Sequence, residues 1–495
     1  MKDRTGRAHR RLAALAAVLL VGVVGCTSVL DRPTLPSAGT AVPRTGTAQT
    51  TTAASITPVT PDGLVTGPGV TDGVIALGVL ADPARDRGFT DGVRLWQRSV
   101  NTTGGLCGRT IDLRTNGADG VPVDPAAAYR AIGTSVLGLL TLPVGSPVGV
   151  TTSRTTPSSA TTAGPAATGE TTAGPAATGA TTAGGATGST TADSAGATTA
   201  AGTGDADADT DADADADAIL AASMAADQIP AVAPTGTSGQ LGPTRPIVAG
   251  ATADILAING LQYLLSAGTL RPGDVVGVLS DGSATAQNAL AGAQWWARRN
   301  GLELDLRDPG TAPGTWPASG VVLAPVGAPT VSALIAGRPG LSVLTLLDGF
   351  DPGSWTAETV AAAAGRLSIA TPAPAYGSDD PAAVAVSSLA AAVGSTDSGA
   401  RTLDGYAVGS TWGRLIDQAC ADRSLTRTGV GDAATTVGPA PTASLFGPSD
   451  PGLVVQSALP ATRVSSVSVA DAAAPTGLRP VSVAESAPGI DDYRP

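Results

Sequence analysis

Apolar positions fall in short, almost unbroken runs separated by amphipathic stretches, and the clearest instance lies between Val74 and Asp119. Val74 to Leu80 (VIALGVL) is a continuous apolar run, and Ile111 to Leu113 opens a second one. Runs of this kind mark strands buried on both faces of a parallel sheet. Between them Phe89, Val93, Leu95, Trp96 and Val100 recur at three- and four-residue spacing, with Asp91, Arg94 and Arg98 on the opposite side. That spacing predicts an amphipathic helix, which Asn101 and Gly104-Gly105 stop. Strand, helix and parallel strand form a βαβ unit whose crossover is right-handed.

The unit recurs downstream. A strand with its following loop is expected over 135–150, a helix over 218–228 and a strand over 229–233. From about residue 247 the pattern restarts: helices are predicted at 251–266, 286–300, 329–336 and 356–364, and strands at 274–280, 302–306, 320–326, 341–347 and 367–370. Helices at 381–393, 405–420 and 425–436 come after this second sheet is complete, which implies a chain that crosses between lobes more than once. The tail alternates at 464–469 and 480–483, predicting a small antiparallel addition. At 495 residues the chain exceeds what one hydrophobic core usually supports, so two lobes are expected.

Residues 151–217 break the pattern. They contain decameric repeats (TTAGPAATGE, TTAGPAATGA, TTAGGATGST) with no large apolar residue to stack, then seven Asp alternating with other small residues from Asp205 to Asp217. This composition predicts a disordered insert. The acidic run lacks the glycine turn and spaced ligands of a calcium loop and reads as a solvated tract. Removing it restores a normal βαβ step, so the insert hangs from a loop at the carboxyl end of a strand, the edge where open α/β sheets place ligands.

The formal net charge of −12 argues against a nucleic-acid partner. Lys2 is the only lysine and His9 the only histidine. Both lie in a basic segment that leads through an apolar stretch, 12–24, into Gly25-Cys26, the layout of an export signal. The apolar stretch is short for a bilayer span. Val23-Val24-Gly25-Cys26 resembles the lipobox of bacterial lipoproteins, in which the cysteine is lipidated and becomes the new first residue; an ordinary signal peptide with a chance cysteine is the alternative. Removal of residues 1–25 leaves a chain without lysine or histidine, which excludes Ser-His-Asp, Cys-His and Schiff-base chemistry and most zinc sites. No metal or cofactor is implied. A carboxylate-only hydrolase survives on composition, but no paired acidic constellation stands out, and the expectation is a non-enzyme. Residues 26–70, rich in Thr, Ala, Pro and Gly, read as a disordered tether.

Several segments together resemble a known family. Gly78-Val-Leu80, the helix ending Ser99-Val-Asn101, and TTGGLCGRTIDL (102–113) resemble the opening of type I periplasmic binding proteins of the branched-chain amino-acid class. ADQIPAVAP (226–234) resembles that family's step into its fourth strand. The stretch 278–304 resembles the first βαβ of its second lobe, and LTRTGVGDA (425–433) a late helix. The resemblance covers about 71–150 and 219–495. It implies two Rossmann-like α/β lobes joined by three crossovers, near Val248, Thr371 and Ala443. Lobe 1 would span 71–247, lobe 2 248–371, a return to lobe 1 372–442, and completion of lobe 2 443–495. It further implies a monomer that closes by a hinge over a small solute, an amino acid or related compound, and delivers it to ABC permease subunits, with the lipid on Cys26 holding it at the outer face of the membrane.

Carried over residue by residue, the resemblance places Gly145, Ser146, Thr235 and Thr237 where the family holds an α-carboxylate, and Asp281, Ser283, Asp348 and Phe350 on the facing lobe, with Asp348 able to neutralise an ammonium. Helix capping and turn chemistry explain Ser146 and Thr235 equally well. The chain departs from the pattern in a short first loop carrying Arg85 and Arg87, and in its 3% aromatic content, which leaves Phe89 and Phe350 as candidates for an apolar lid. Cys107 and Cys420 are the cysteines after Cys26; in an exported protein an isolated pair favours a disulfide, two free thiols being the alternative. A ligand sensor or envelope interaction protein on the same fold is the rival reading.

Overall fold

A computed structural model of the chain describes residues 63–81, 86–115, 125–142, 220–242, 246–310, 320–353, 355–395, 399–441, 444–453 and 460–495. The expected signal segment, Cys26, the insert 151–217, Arg85, Gly145 and Ser146 lie outside the described residues.

The chain enters with a two-residue strand, β1 (Val65–Thr66), followed by β2 (Val74–Leu80), α1 (Arg87–Thr102), β3 (Thr110–Thr115), α2 (Pro125–Ile132) and β4 (Gly138–Thr141). A helical stretch at 220–226, α3, leads to β5 (Ala231–Ala233) and β6 (Ile247–Val248). These strands form a five-stranded sheet in the order β3-β2-β4-β5-β6. All of its pairings are parallel, with Val74 opposite Thr110 and Leu77 opposite Gly138. β2 is buried from Ile75 to Leu80 because helices cover both faces, which is why its sequence does not alternate.

The chain then builds a second layer: α4 (Ala253–Ser266), β7 (Val275–Leu279), α5 (Ala284–Asn300), β8 (Glu303–Arg307), β9 (Val321–Leu323), α6 (Ala328–Gly337), β10 (Ser342–Leu346), α7 (Ala357–Ala363) and β11 (Leu367–Thr371). It returns to the first sheet with α8 (Pro381–Ala392), α9 (Thr402–Ala421), β12 (Ser424–Leu425) and α10 (Arg427–Thr436). β13 (Ser465–Ala470) and β14 (Leu478–Glu485) then complete a seven-stranded sheet ordered β14-β13-β11-β10-β9-β7-β8. β13 runs antiparallel to β11, with Ser368 opposite Val469, and antiparallel to β14. β13 is buried at every position although its sequence alternates Ser with Val, whereas β14, at the sheet edge, is partly exposed along its length.

Several elements differ from the sequence reading: α2 and β6 were not expected, α9 begins at Thr402 rather than 405, and β9 is shorter than 320–326. Residues 63–70, whose composition suggests a tether, pack on lobe 1: Leu64 and Thr66 are buried, and β1 pairs in parallel with β12. The expected helix 425–436 begins two residues later, because Leu425 belongs to that pair and the Thr426 hydroxyl caps α10 by accepting from the Gly429 amide at 2.9 Å.

The two sheets have separate cores. Phe89, Val93 and Trp96 of α1 pack with Leu403, Val408 and Trp412 of α9, so the returning segment supplies much of the first core. Cys107 and Cys420 are bonded, with Cα atoms 6.4 Å apart, joining the turn before β3 to the last turn of α9. The second core holds Ile255, Leu256, Ile258, Trp296 and Tyr493 on one face of its sheet, and Val331, Val343, Phe350 and Trp355 on the other.

Candidate functional site

Three connections cross between the lobes: 249–252, 372–380 and 437–464. They meet at Gly250. A Cβ there would lie 2.7 Å from the Cβ of Pro372 on the second connection and 3.2 Å from the Phe446 ring on the third. Only hydrogen fits at this position, so the connections run in contact there.

Beside them a cavity of about 20 Å³ opens between the lobes. Thr235 and Gly236, at the carboxyl end of β5, wall it from lobe 1, and Leu346, Leu347 and Asp348, at the carboxyl end of β10, from lobe 2. Ala253 and Leu256 at the start of α4, Thr285, Ala370, Pro372, Arg401 and Asp404 complete the lining. This is the strand edge at which open α/β sheets bind ligands. The space holds about one water.

Arg401 dominates the electrostatics of the cavity. It occupies the N-cap position of α9, and its side chain is 15% exposed. Its Nη2 pairs with Asp348 Oδ1 across the gap, while Nε lies 3.9 Å from the buried Asp86 of its own lobe. Burial opposes the charge on the guanidinium, but Asp348, Asp86 and Asp404 outweigh it and hold its pKa above the ordinary arginine value. Asp404, one turn along α9, is 3% exposed. Burial pushes its carboxyl up to about 7, with Asp348 adding to the rise and Arg401 and the Ala373 amide opposing it.

In the unfolded chain Asp404 loses its proton near the ordinary carboxyl value of 3.8, whereas the folded protein retains it to about pH 7. Stability therefore falls as pH rises between those values, by up to about 1.4 kcal/mol per pH unit for this one group. Urea unfolding of the wild type and of Asp404→Asn, compared from pH 4 to pH 8, is expected to show that the wild type loses stability relative to the variant through this window. Parallel curves would mean that Asp404 is not held protonated.

A second polar cluster closes the lobes on the other side of Thr235. Asp254, in the first turn of α4, is fully buried and accepts hydrogen bonds from the hydroxyls of Ser238 on lobe 1, of Thr252 in the first connection and of Tyr493, the last at 2.9 Å. Burial, then the Asp254 carboxylate, pushes the Tyr493 hydroxyl pKa well up, which keeps it a donor. Asn288 Oδ1 accepts both the Ser238 amide at 3.3 Å and the Asp254 amide at 3.1 Å. The Ala253 amide donates to the Gly236 carbonyl at 2.9 Å. Buried groups with this many partners hold one geometry, because a broken bond strands a desolvated polar atom.

Of the residues singled out in the sequence, the structure brings Thr235 and Asp348 together at the cavity. Thr235 donates to the Ala251 carbonyl at 2.6 Å, fixing its rotamer at the hinge. Thr237 does not line the cavity; it forms a capping box with Gln240 at the turn Ser238–Gln240. Asp281 and Ser283 are exposed. Asp281 accepts from the Ser283 amide, and Ser283 caps α5 by accepting from the Ala286 amide at 3.2 Å. Phe350 is 8% exposed inside lobe 2, edge-to-face with Trp355 at 5.7 Å, and Phe89 is fully buried under α9; neither is a lid. Arg87 lies at the start of α1, 3.9 Å from Asp91. Arg401 and Asp404 were not singled out in the sequence. Arg401 carries a faint signal there, since a cation at a helix start opposes the helix dipole and needs a nearby acid.

Among the described residues no group of three or more His, Cys, Asp or Glu is placed to hold a metal ion, and no helix is long and apolar enough to cross a membrane.

No family model and no curated protein matches the chain. Solved structures do. A fatty acid ABC transporter substrate-binding protein from Thermomonospora curvata superposes with a TM-score of 0.63 at 20% identity, covering 88% of this chain and 98% of that one. An ABC transporter substrate-binding protein from Aeropyrum pernix gives 0.55 at 14% identity, covering 85% and 98%. A solute-binding protein of an ABC transporter from Rhodopseudomonas palustris HaA2, in complex with p-hydroxybenzoic acid, gives 0.54 at 11% identity, covering 85% and 100%. The chain therefore has the two-lobed α/β fold of type I periplasmic binding proteins.

Proposed function

We propose that the chain is an extracytoplasmic solute-binding protein that captures a small solute between its lobes and delivers it to an ABC importer. The observation that carries this reading is the cavity itself. It lies beside a triple connection, at the carboxyl edges of strands from both sheets, and is walled by residues of both lobes. A site shared in this way couples occupancy to lobe closure, because only the closed arrangement offers both sets of contacts. The proteins that share the fold are named for this role; the one from Thermomonospora curvata is a fatty acid substrate-binding protein, and the one from Rhodopseudomonas palustris HaA2 holds p-hydroxybenzoic acid. An export signal ending at Cys26, with lipidation of that cysteine, would hold the receptor beside its permease. The solute class under this reading is small amino acids, amides and organic acids.

Thermal and urea unfolding against a panel of such compounds tests the proposal. A true solute at about 100 times its Kd raises the unfolding free energy by about 2.7 kcal/mol, and small-angle scattering should show a change in lobe spacing on binding. If no member of a broad panel shifts unfolding, the reading passes to a ligand sensor or envelope interaction protein on the same fold. The bridging of the closed cleft by Arg401–Asp348 and Ser238–Asp254 favours that alternative.

A further inference from the structure

The cavity's charged groups are unequal in kind and in mobility. Among its described lining residues Arg401 is the single base, facing the acids Asp348 and Asp404. Arg401 is held from its own lobe by Asp86, which is 3% exposed and so cannot swing away without leaving a buried charge. Its other partner, Asp348, sits on the short turn Leu347–Gly349 of lobe 2 and is 57% exposed. One carboxylate thus stays beside the guanidinium from its own lobe. The other reaches it from the facing lobe and occupies the guanidinium nitrogen that points toward the cavity wall.

Resting on the solute-binding reading, we propose that Arg401 anchors the carboxylate of a small monocarboxylic acid, and that Asp348 is a built-in competitor occupying the same place. The exchange is isoelectric: one carboxylate leaves the guanidinium and another takes its position, so the balance among Arg401, Asp86 and Asp404 is unchanged. A planar guanidinium accepts either carboxylate in the same fork geometry. Leu256, Leu346, Ala253 and Ala370 line the space behind it, which suits an apolar body on the acid. Thr235 and Thr285 add hydroxyls at the rim.

The groups facing the guanidinium are Asp86 ahead of α1, Asp348 on the turn after β10, and Asp404 on α9, whose carboxyl is held by the Ala373 amide of the second connection. Asp404 loses its proton near pH 7, placing another negative charge beside the anchor. Affinity for a carboxylate should therefore weaken as pH rises from 6 to 8, and Asp404→Asn should flatten that dependence.

Calorimetric titration with propionate, hexanoate and phenylacetate, each against its amide, tests the assignment on the wild type, Asp348→Asn, Arg401→Gln and Arg401→Lys. The wild type is expected to prefer an acid over its amide by about tenfold, the scale of one charge-assisted bond. Asp348→Asn should tighten acid binding several-fold, Arg401→Gln should abolish the preference, and Arg401→Lys should keep part of it. Equal binding of acid and amide by the wild type would overturn the anchor while leaving solute capture intact. Weaker acid binding by Asp348→Asn would overturn the competitor. No binding of any probe to wild type or Asp348→Asn would overturn the monocarboxylate assignment, and the broader solute panel then decides separately whether the protein captures anything.

Discussion

Replacing Cys107 and Cys420 together with serine is expected to lower the unfolding free energy by about 4–5 kcal/mol, the upper end for a native disulfide. The bond closes a loop between positions 313 apart. In the chain-entropy account that length restricts the unfolded ensemble strongly, although the increment over a loop of 100 residues is small because the dependence is logarithmic. The folded state depends on the bond as well, since it pins the end of α9 against the turn before β3, and α9 supplies Trp412, Leu415 and Ile416 to the first core. Urea unfolding of oxidised, reduced and doubly substituted protein checks this. Identical midpoints for oxidised and doubly substituted protein would refute it, as would two free thiols titrated in the denatured, non-reduced wild type.

Trp412→Ala is expected to remove about 3–5 kcal/mol, the usual range for emptying a buried tryptophan site. Its side chain is fully buried, and its indole Nε1 donates to the Leu139 carbonyl on β4 at 3.0 Å. The ring lies directly over Gly138, where a Cβ would collide with it. Sheet and helix have been shaped to each other at this point, so neither collapses readily into the space left by truncation. The substitution also strips the Leu139 carbonyl of this donor. Trp412→Phe should recover most of the packing but not the hydrogen bond, separating the two contributions. A loss below 1 kcal/mol for Trp412→Ala would show that α9 does not hold the first sheet.

Much of the lobe architecture was legible because its strands are buried on both faces. Val74–Leu80, Val275–Leu279 and Ser342–Leu346 announce themselves as apolar runs whatever their tertiary neighbours. The pairing of Val65–Thr66 with Ser424–Leu425 was not legible, since two residues carry no periodicity and the partner lies in another part of the chain. Boundaries shifted where a cap decided them, as Thr426 does for α10. At the cavity, Asp348 could be named because it follows a recognisable strand. Arg401 was missed, because a cation at a helix start is only a faint signal and Gly399-Ala-Arg-Thr402 does not say that Asp86 and Asp348 flank it from two sides. Phe350 misled for a related reason: an aromatic after a strand end serves a pocket or its own core equally well, and Trp355 draws it inward.

The late arrival of β13 and β14 bears on how the polypeptide reaches its native state. Asn259 of α4 finds its partners in the Arg463 carbonyl and the Ala487 amide, and Asp254 finds one in Tyr493. Until those distant residues are present, the second lobe has a sheet edge unpaired and polar side chains of its central helix unsatisfied. Assembly is therefore expected to wait for nearly the whole polypeptide and to be slow, because the contacts that finish the second lobe join residues more than 200 positions apart.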